Sequence, residues 1–299
     1  MTKPDQAFRH QAVELGRFAA AFGIVMAHAM PLTLGRAGQL SLSFFVILTA
    51  FLSGQSLVRA PGRYHWWPRA VRLLLPWLAC CALFRLVEWK ISDPPLGFWE
   101  IRDPWSLLAG PEYHLWFLPF LILATATVRP VGRFAMTGRG LELAFSLIAV
   151  LALPAFTAHH RGLLPVPLSQ WAAILPTYLW GLLCGIAVAQ GRGNVAALGL
   201  AGVTAAGVIA TGGQAFWPLS IPLAAALLWA LWKTPLVGNW KMLGDAAFGI
   251  YLLHPLMLFV GYKLFGASAN RLMLGFFAFA LSCVTVFAMQ RLPLARRLI

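Results

Sequence analysis

Ten apolar runs, each near the length that crosses a bilayer, succeed one another along 299 residues. They lie at roughly 11–30, 38–58, 68–90, 113–129, 141–157, 170–189, 195–211, 215–232, 245–264 and 271–290. An apolar run of about 20 residues is long enough to cross a bilayer as a helix. The expected fold is therefore an all-α polytopic membrane protein with about ten transmembrane helices. A content of 60% hydrophobic and 11% charged residues, with a mean hydropathy of +0.75, excludes an ordinary soluble domain. The runs fill the chain, so one transmembrane domain over residues 1–299 is expected, with no appended soluble domain. No small-residue cleavage site follows the first run, which reads as a retained span.

The net charge of +14 does not point to nucleic acid, because the basic residues are spread between the spans. Positive charge accumulates in cytoplasmic loops. With the N-terminus placed in the cytoplasm, sixteen of the 23 Lys and Arg residues fall inside and seven outside. Both termini are thus expected to be cytoplasmic, in a bacterial inner membrane. The four cysteines, Cys80, Cys81, Cys184 and Cys283, fall in apolar runs. They show neither metal-ligand spacing nor a disulfide framework, and no bound metal is expected.

The first span, QAVELGRFAAAFGIVMAHAM, carries Glu14, Arg17 and His28. Eleven residues of helix make about three turns plus ~20° and rise ~16 Å, so Arg17 and His28 share one stripe. Glu14 stands three residues before Arg17, where an acid and a base are neighbours. Ionisable groups within a span usually face the bundle interior and mark a site or pathway. The plainer alternative sets Glu14 and Arg17 at the headgroup boundary, with His28 capping the far end.

Three other stretches carry polar chemistry. In RYHWWPRAVRLLLPW (63–77), Pro68 can start a helix, placing Arg69 and Arg72 on its first face after Arg59 and Arg63. Guanidinium forks suit phosphate, although anchoring to anionic lipid would use the same charges. EYHLWFLPFL (112–121) gathers Tyr113, His114 and Trp116 at the outer interface, where aromatic belting alone accounts for Tyr and Trp. LGDAAFGIYLLHP (243–255) buries His254 beside Pro255, which removes a backbone donor and favours a local kink. A carbonyl freed there could satisfy His254, or the ring could line a site. The longest outer segment, about Ile91 to Glu112, is rich in Pro and Gly. It could roof a site or lie on the headgroups, with Trp99 and Trp105 at the interface.

In this order and spacing, the stretches resemble the membrane acyltransferase-3 family of multispan O-acyltransferases. The resemblance rests on ELGRFAAAFGIVMAH, with Arg-x10-His from Arg17 to His28, and on FFVILTAFL (44–52). It rests also on Arg69-x-x-Arg72, HLWFL (114–118) and YLLH (251–254). One departure falls in span 2, where many members read Leu-Ser-Gly-Phe-Leu and this chain has Leu48-Thr49-Ala50-Phe51-Leu52. The added methyl groups there could narrow a pocket and alter the substrate.

The resemblance implies transfer of an acyl group, commonly acetyl, from cytosolic acyl-CoA to a hydroxyl of an extracytoplasmic carbohydrate or lipid-linked saccharide. No tightly bound cofactor is implied; acyl-CoA is a co-substrate and the bilayer is the remaining partner. His28, Glu14 and Arg17 become the expected catalytic set, and Arg17, Arg63, Arg69 and Arg72 the donor-binding set. Tyr113, His114, Trp116 and His254 would line the acceptor pocket. His28 could serve as base or form an acyl-imidazole, and the sequence leaves both open. A proton-coupled transporter would use the same intramembrane His, Arg and Asp groups, and a non-catalytic lipid or polymer binder the same pockets. Against the transporter, there is no inverted repeat and no matching pair of broken helices.

Overall fold

The computed structural model describes residues 10–91, 104–266, 268–293 and 295–298. Lys3, Arg9 and most of the 91–112 segment, including Trp99, lie outside the described residues, as do the side chains of Arg63 and Tyr113. The elements are α1 (Gln11–Ala29), α2 (Pro31–Arg59), α3 (Trp66–Ile91), a short α4 (Ser106–Ala109), α5 (Phe117–Ala135) and α6 (Gly140–His160). They continue as α7 (Leu168–Ala189), α8 (Gly193–Thr211), α9 (Trp217–Lys233), α10 (Lys241–Phe265) and α11 (Arg271–Gln290). No strand occurs among the described residues. Each of the ten apolar runs is a helix, and nine of the described helices are long and apolar enough to cross a membrane. The chain is an integral, multi-pass, all-α membrane protein. The remaining helix, α9, has 17 residues. At 1.5 Å per residue it is about 25 Å long, short of a hydrocarbon core of about 30 Å.

Several boundaries differ from the sequence reading: α10 starts at Lys241, four residues early, α5 runs on to Ala135, six residues past the expected end, and two starts differ for a physical reason. α2 begins at Pro31 rather than near residue 38. Met30 closes α1, its N–H bonded to the Met26 carbonyl, and Pro31 follows at the first helical position, where its missing N–H is not needed. The 29 residues of α2 make about 43 Å of helix, more than hydrocarbon alone requires. At the fourth run, Tyr113–Trp116 form a single 3-10 turn, and α5 starts only at Phe117.

Contacts group the chain into two compact units. The first comprises residues 1–45 and 223–299, the second residues 46–222. In the first unit, α1 packs on α10 and α11, and α10 packs on α11. Phe18 and Phe22 of α1 meet Phe279 of α11 with ring centroids 5.3 and 4.9 Å apart. Gly275 of α11 leaves room for the Met26 sulfur, and Gly244 of α10 for the Glu14 carboxylate.

In the second unit, α6 packs on α7 and α8, and α5 on α3, α6 and α7. α7 carries Gly181-x-x-x-Gly185, whose glycines lie against the backbone of Ile47 and Phe51 in α2. Gly54 of α2 faces the Leu182 carbonyl in return, and no side chain fits at Gly54 or Gly185. Lipid gives helices little hydrophobic reason to associate, so close backbone approach of this kind supplies much of the attraction. The Gln55 side-chain amide also donates to the Gly185 carbonyl at 3.2 Å. The methyl of Ala50, in the motif that departs from the family pattern, packs against Gly181.

Candidate active site

In the first unit, the polar groups of α1 form two separate places. Near its start, Arg17 donates from Nη1 to Glu14 Oε2 at 3.0 Å. Glu14 is buried, and its carboxylate rests on Gly244 of α10. A buried carboxylate needs such a partner, because an unpaired charge there is costly. The acid-x-x-Arg spacing of the sequence is thus an ion pair, as helical geometry predicts.

About 16 Å along the same helix, His28 occupies the last turn of α1 and its side chain is exposed. Its Nδ1 lies 2.9 Å from the Ile24 carbonyl oxygen. A carbonyl can only accept, so Nδ1 carries the hydrogen and Nε2 of the neutral ring keeps a lone pair. The ring of His254 stands beside it, with centroids 4.7 Å apart and planes at 63°.

His254 is fully buried in α10. Its Nδ1 lies 2.7 Å from the Tyr251 carbonyl, which fixes the same tautomer. The chain itself frees this acceptor. In a helix the N–H of residue 255 would bond the carbonyl of residue 251, and Pro255 has no N–H to offer. Pro255 lies inside α10, which runs as helix from Lys241 to Phe265. The ring of Tyr251 adds a further contact, its centroid 6.0 Å from that of His254.

The second unit holds the arginine cluster. Arg69, in the first turn of α3, donates from Nη2 to Ser56 Oγ at 3.0 Å and lays its guanidinium over the Tyr64 ring at 4.5 Å. Tyr64 is buried, and its hydroxyl donates to the Thr125 carbonyl at 3.4 Å. Burial pushes the Tyr64 phenol up from its ordinary value, opposed by the Arg69 charge and a Ser53 hydrogen bond. Tyr178 of α7 is fully buried, and its hydroxyl has no hydrogen-bond partner among the described residues. Arg72, one turn beyond Arg69, is exposed. Arg59 donates to Gln55 Oε1 at 2.9 Å.

Among the residues expected to line the acceptor pocket, only His254 belongs to the first unit. His114 and Trp116 belong to the second, and both are buried. The His114 ring packs on Phe84 at 5.4 Å, and the Trp116 carbonyl accepts from the indole of Trp171 at 3.1 Å. Tyr64, Ser56 and Tyr178 were not singled out in the sequence. Tyr64 sits within the quoted stretch 63–77, but Tyr178 is one aromatic in an apolar run and carries no local signal.

The arrangement can present a tautomer-fixed imidazole with a basic Nε2, and, on α3, guanidinium groups suited to an anion. A family model described as an acyltransferase domain, of the acyltransferase-3 type, matches residues 10–291. No curated protein and no solved structure matches the chain. The match takes in every long helix, from α1 with His28 to α11. The chain therefore belongs to the acyltransferase-3 family and is a membrane acyltransferase.

Proposed function

We propose that the protein is an O-acyltransferase that moves an acetyl group from acyl-CoA to a hydroxyl of an extracytoplasmic carbohydrate or lipid-linked saccharide. The observation that carries this reading is the tautomer of His28, whose Nδ1 is committed to the Ile24 carbonyl. Nε2 is then the atom that takes the acceptor's hydroxyl proton. The hydroxyl oxygen attacks the thioester carbonyl, the C–S bond breaks, and CoA leaves as a thiolate that recovers the proton. Arg69 and Arg72 hold donor phosphate, which is supported by their place at the start of α3 and by the exposure of Arg72. Arg63 adds charge before the same helix, and Arg17 with Glu14 lines the donor side. Both termini are cytoplasmic in this reading, the membrane is a bacterial inner membrane, and no tightly bound cofactor takes part.

The test follows CoA release from acetyl-CoA by the purified protein in detergent, with a cell-envelope saccharide fraction as acceptor. His28→Ala and His28→Gln should still bind acetyl-CoA and should transfer at least ~10²-fold more slowly, the scale for losing a positioned base. A parental rate in either variant overturns the reading.

A further inference from the structure

We propose that His254 is the positioning residue for His28: a buried imidazole, locked in one orientation, against which the exposed imidazole is set. The inference rests on the reading of His28 as base. His28 sits in the last turn of α1 and is exposed, and the hydrogen bond from Nδ1 to Ile24 orients the ring only from within its own helix. The second restraint is the ring of His254, 4.7 Å away and inclined at 63°. Aromatic rings at this distance and angle attract edge to face.

His254 can act as a fixed reference because three features of α10 hold it. It is fully buried, its Nδ1–H is taken by the Tyr251 carbonyl, and that carbonyl is left open by Pro255. The Tyr251 ring stands on the same residue. The His-Pro pair within a span therefore has a use beyond local structure. It turns a helix defect into a support for a group on another helix. Displacing a reacting group by ~1 Å can slow a reaction about 10²-fold, which sets the size of effect expected.

The test uses the full chain in detergent, reads CoA release from acetyl-CoA, and compares His28→Ala, His254→Phe, Pro255→Ala and the double variant His28→Ala/His254→Phe. His254→Phe keeps a ring but cannot bond Tyr251, so kcat should fall about 10- to 100-fold while KM for acetyl-CoA stays within about twofold. The double variant should be no slower than His28→Ala, because His254 acts only through His28. Pro255→Ala returns a backbone N–H to the Tyr251 carbonyl without a helix penalty, and should lower kcat by about threefold or more at parental KM. This variant carries the test if His254→Phe folds poorly. A parental kcat in His254→Phe or Pro255→Ala, or a double variant whose losses multiply, overturns the inference and leaves the base reading standing. A parental rate in His28→Ala instead removes the base reading itself.

Discussion

The carboxylate of Glu14 packs against Gly244, so closely that a methyl group added to Gly244 would overlap Oε2. This contact joins α1 to α10 at the ion pair with Arg17. Glycine is required there for space and not for a special backbone angle, since Gly244 is helical. Gly244→Ala must push the carboxylate aside or part the helices. Overpacking of this kind costs about 1–3 kcal/mol. The expected outcome is a lower thermal midpoint in detergent, together with slower acyl transfer. A parental midpoint would show that Glu14 steps aside freely.

Arg69 and Arg72 stand three apart in sequence but hold different positions. Arg69 is tied to Ser56 and stacked on Tyr64, whereas Arg72 is exposed. Arg69→Ala should therefore lower both stability and donor affinity, and Arg69→Lys should recover only part of each because it lacks the planar fork. Arg72→Ala should leave stability within about 0.5 kcal/mol, as surface changes do. Its affinity for acetyl-CoA, measured by calorimetry, should fall about ten- to a hundredfold, the loss of one charge-assisted bond of ~1.5–3 kcal/mol. Unchanged affinity in Arg72→Ala would assign that residue to lipid headgroups.

The helices were legible because span length is set by local sequence against a fixed hydrocarbon thickness. The Glu14–Arg17 pair was legible for a similar reason, since both residues belong to one helix and 3.6-residue periodicity places them together. The early start of α2 was hidden. Residues 31–37 extend the helix without adding to an apolar run, so they leave no hydropathy signal. The meeting of His28 with His254 was also hidden, because each helix records its own faces but not which partner it finds. His254 was in view as a pocket residue, and Pro255 as a source of a free carbonyl. Only the packing of α1 on α10 connects them to His28. Gly181-x-x-x-Gly185 was written in the chain and marks the α2 contact, although its partner strip could not be read.

Glu112 offers a pH-dependent prediction outside the membrane-spanning segments. Burial raises its carboxyl above the ordinary value, and the like charge of Glu88 raises it further. A carboxyl raised by folding favours the protonated form. Its contribution to stability is full below the unfolded pKa and is lost as pH rises through the folded one. Glu112→Gln should accordingly be more stable than the parent at neutral pH and converge with it in acid. Glu112 still keeps much of its surface in solvent although its carboxyl is partly desolvated, so water screens much of the interaction and the gain should be small. Thermal midpoints measured at neutral and acid pH test this. A gain that grows toward low pH would contradict the sign.

The Tyr178 hydroxyl has no hydrogen-bond partner among the described residues. Its ring is wholly buried in α7, with the Phe120 ring edge-on at 5.8 Å. Leaving a buried hydroxyl unbonded costs about 1–3 kcal/mol, so removing it should help the ligand-free protein. Tyr178→Phe is expected to raise the thermal midpoint in detergent, because the ring and its packing are retained. If a donor anion on Arg69 takes up this hydroxyl, the stabilisation conferred by saturating acetyl-CoA should shrink in the variant. The two shifts have opposite directions and separate the two roles. A midpoint that falls without ligand would mean that the hydroxyl supports the fold. An undiminished acetyl-CoA shift would remove Tyr178 from donor binding and leave Arg69 and Arg72 to hold the phosphates without it.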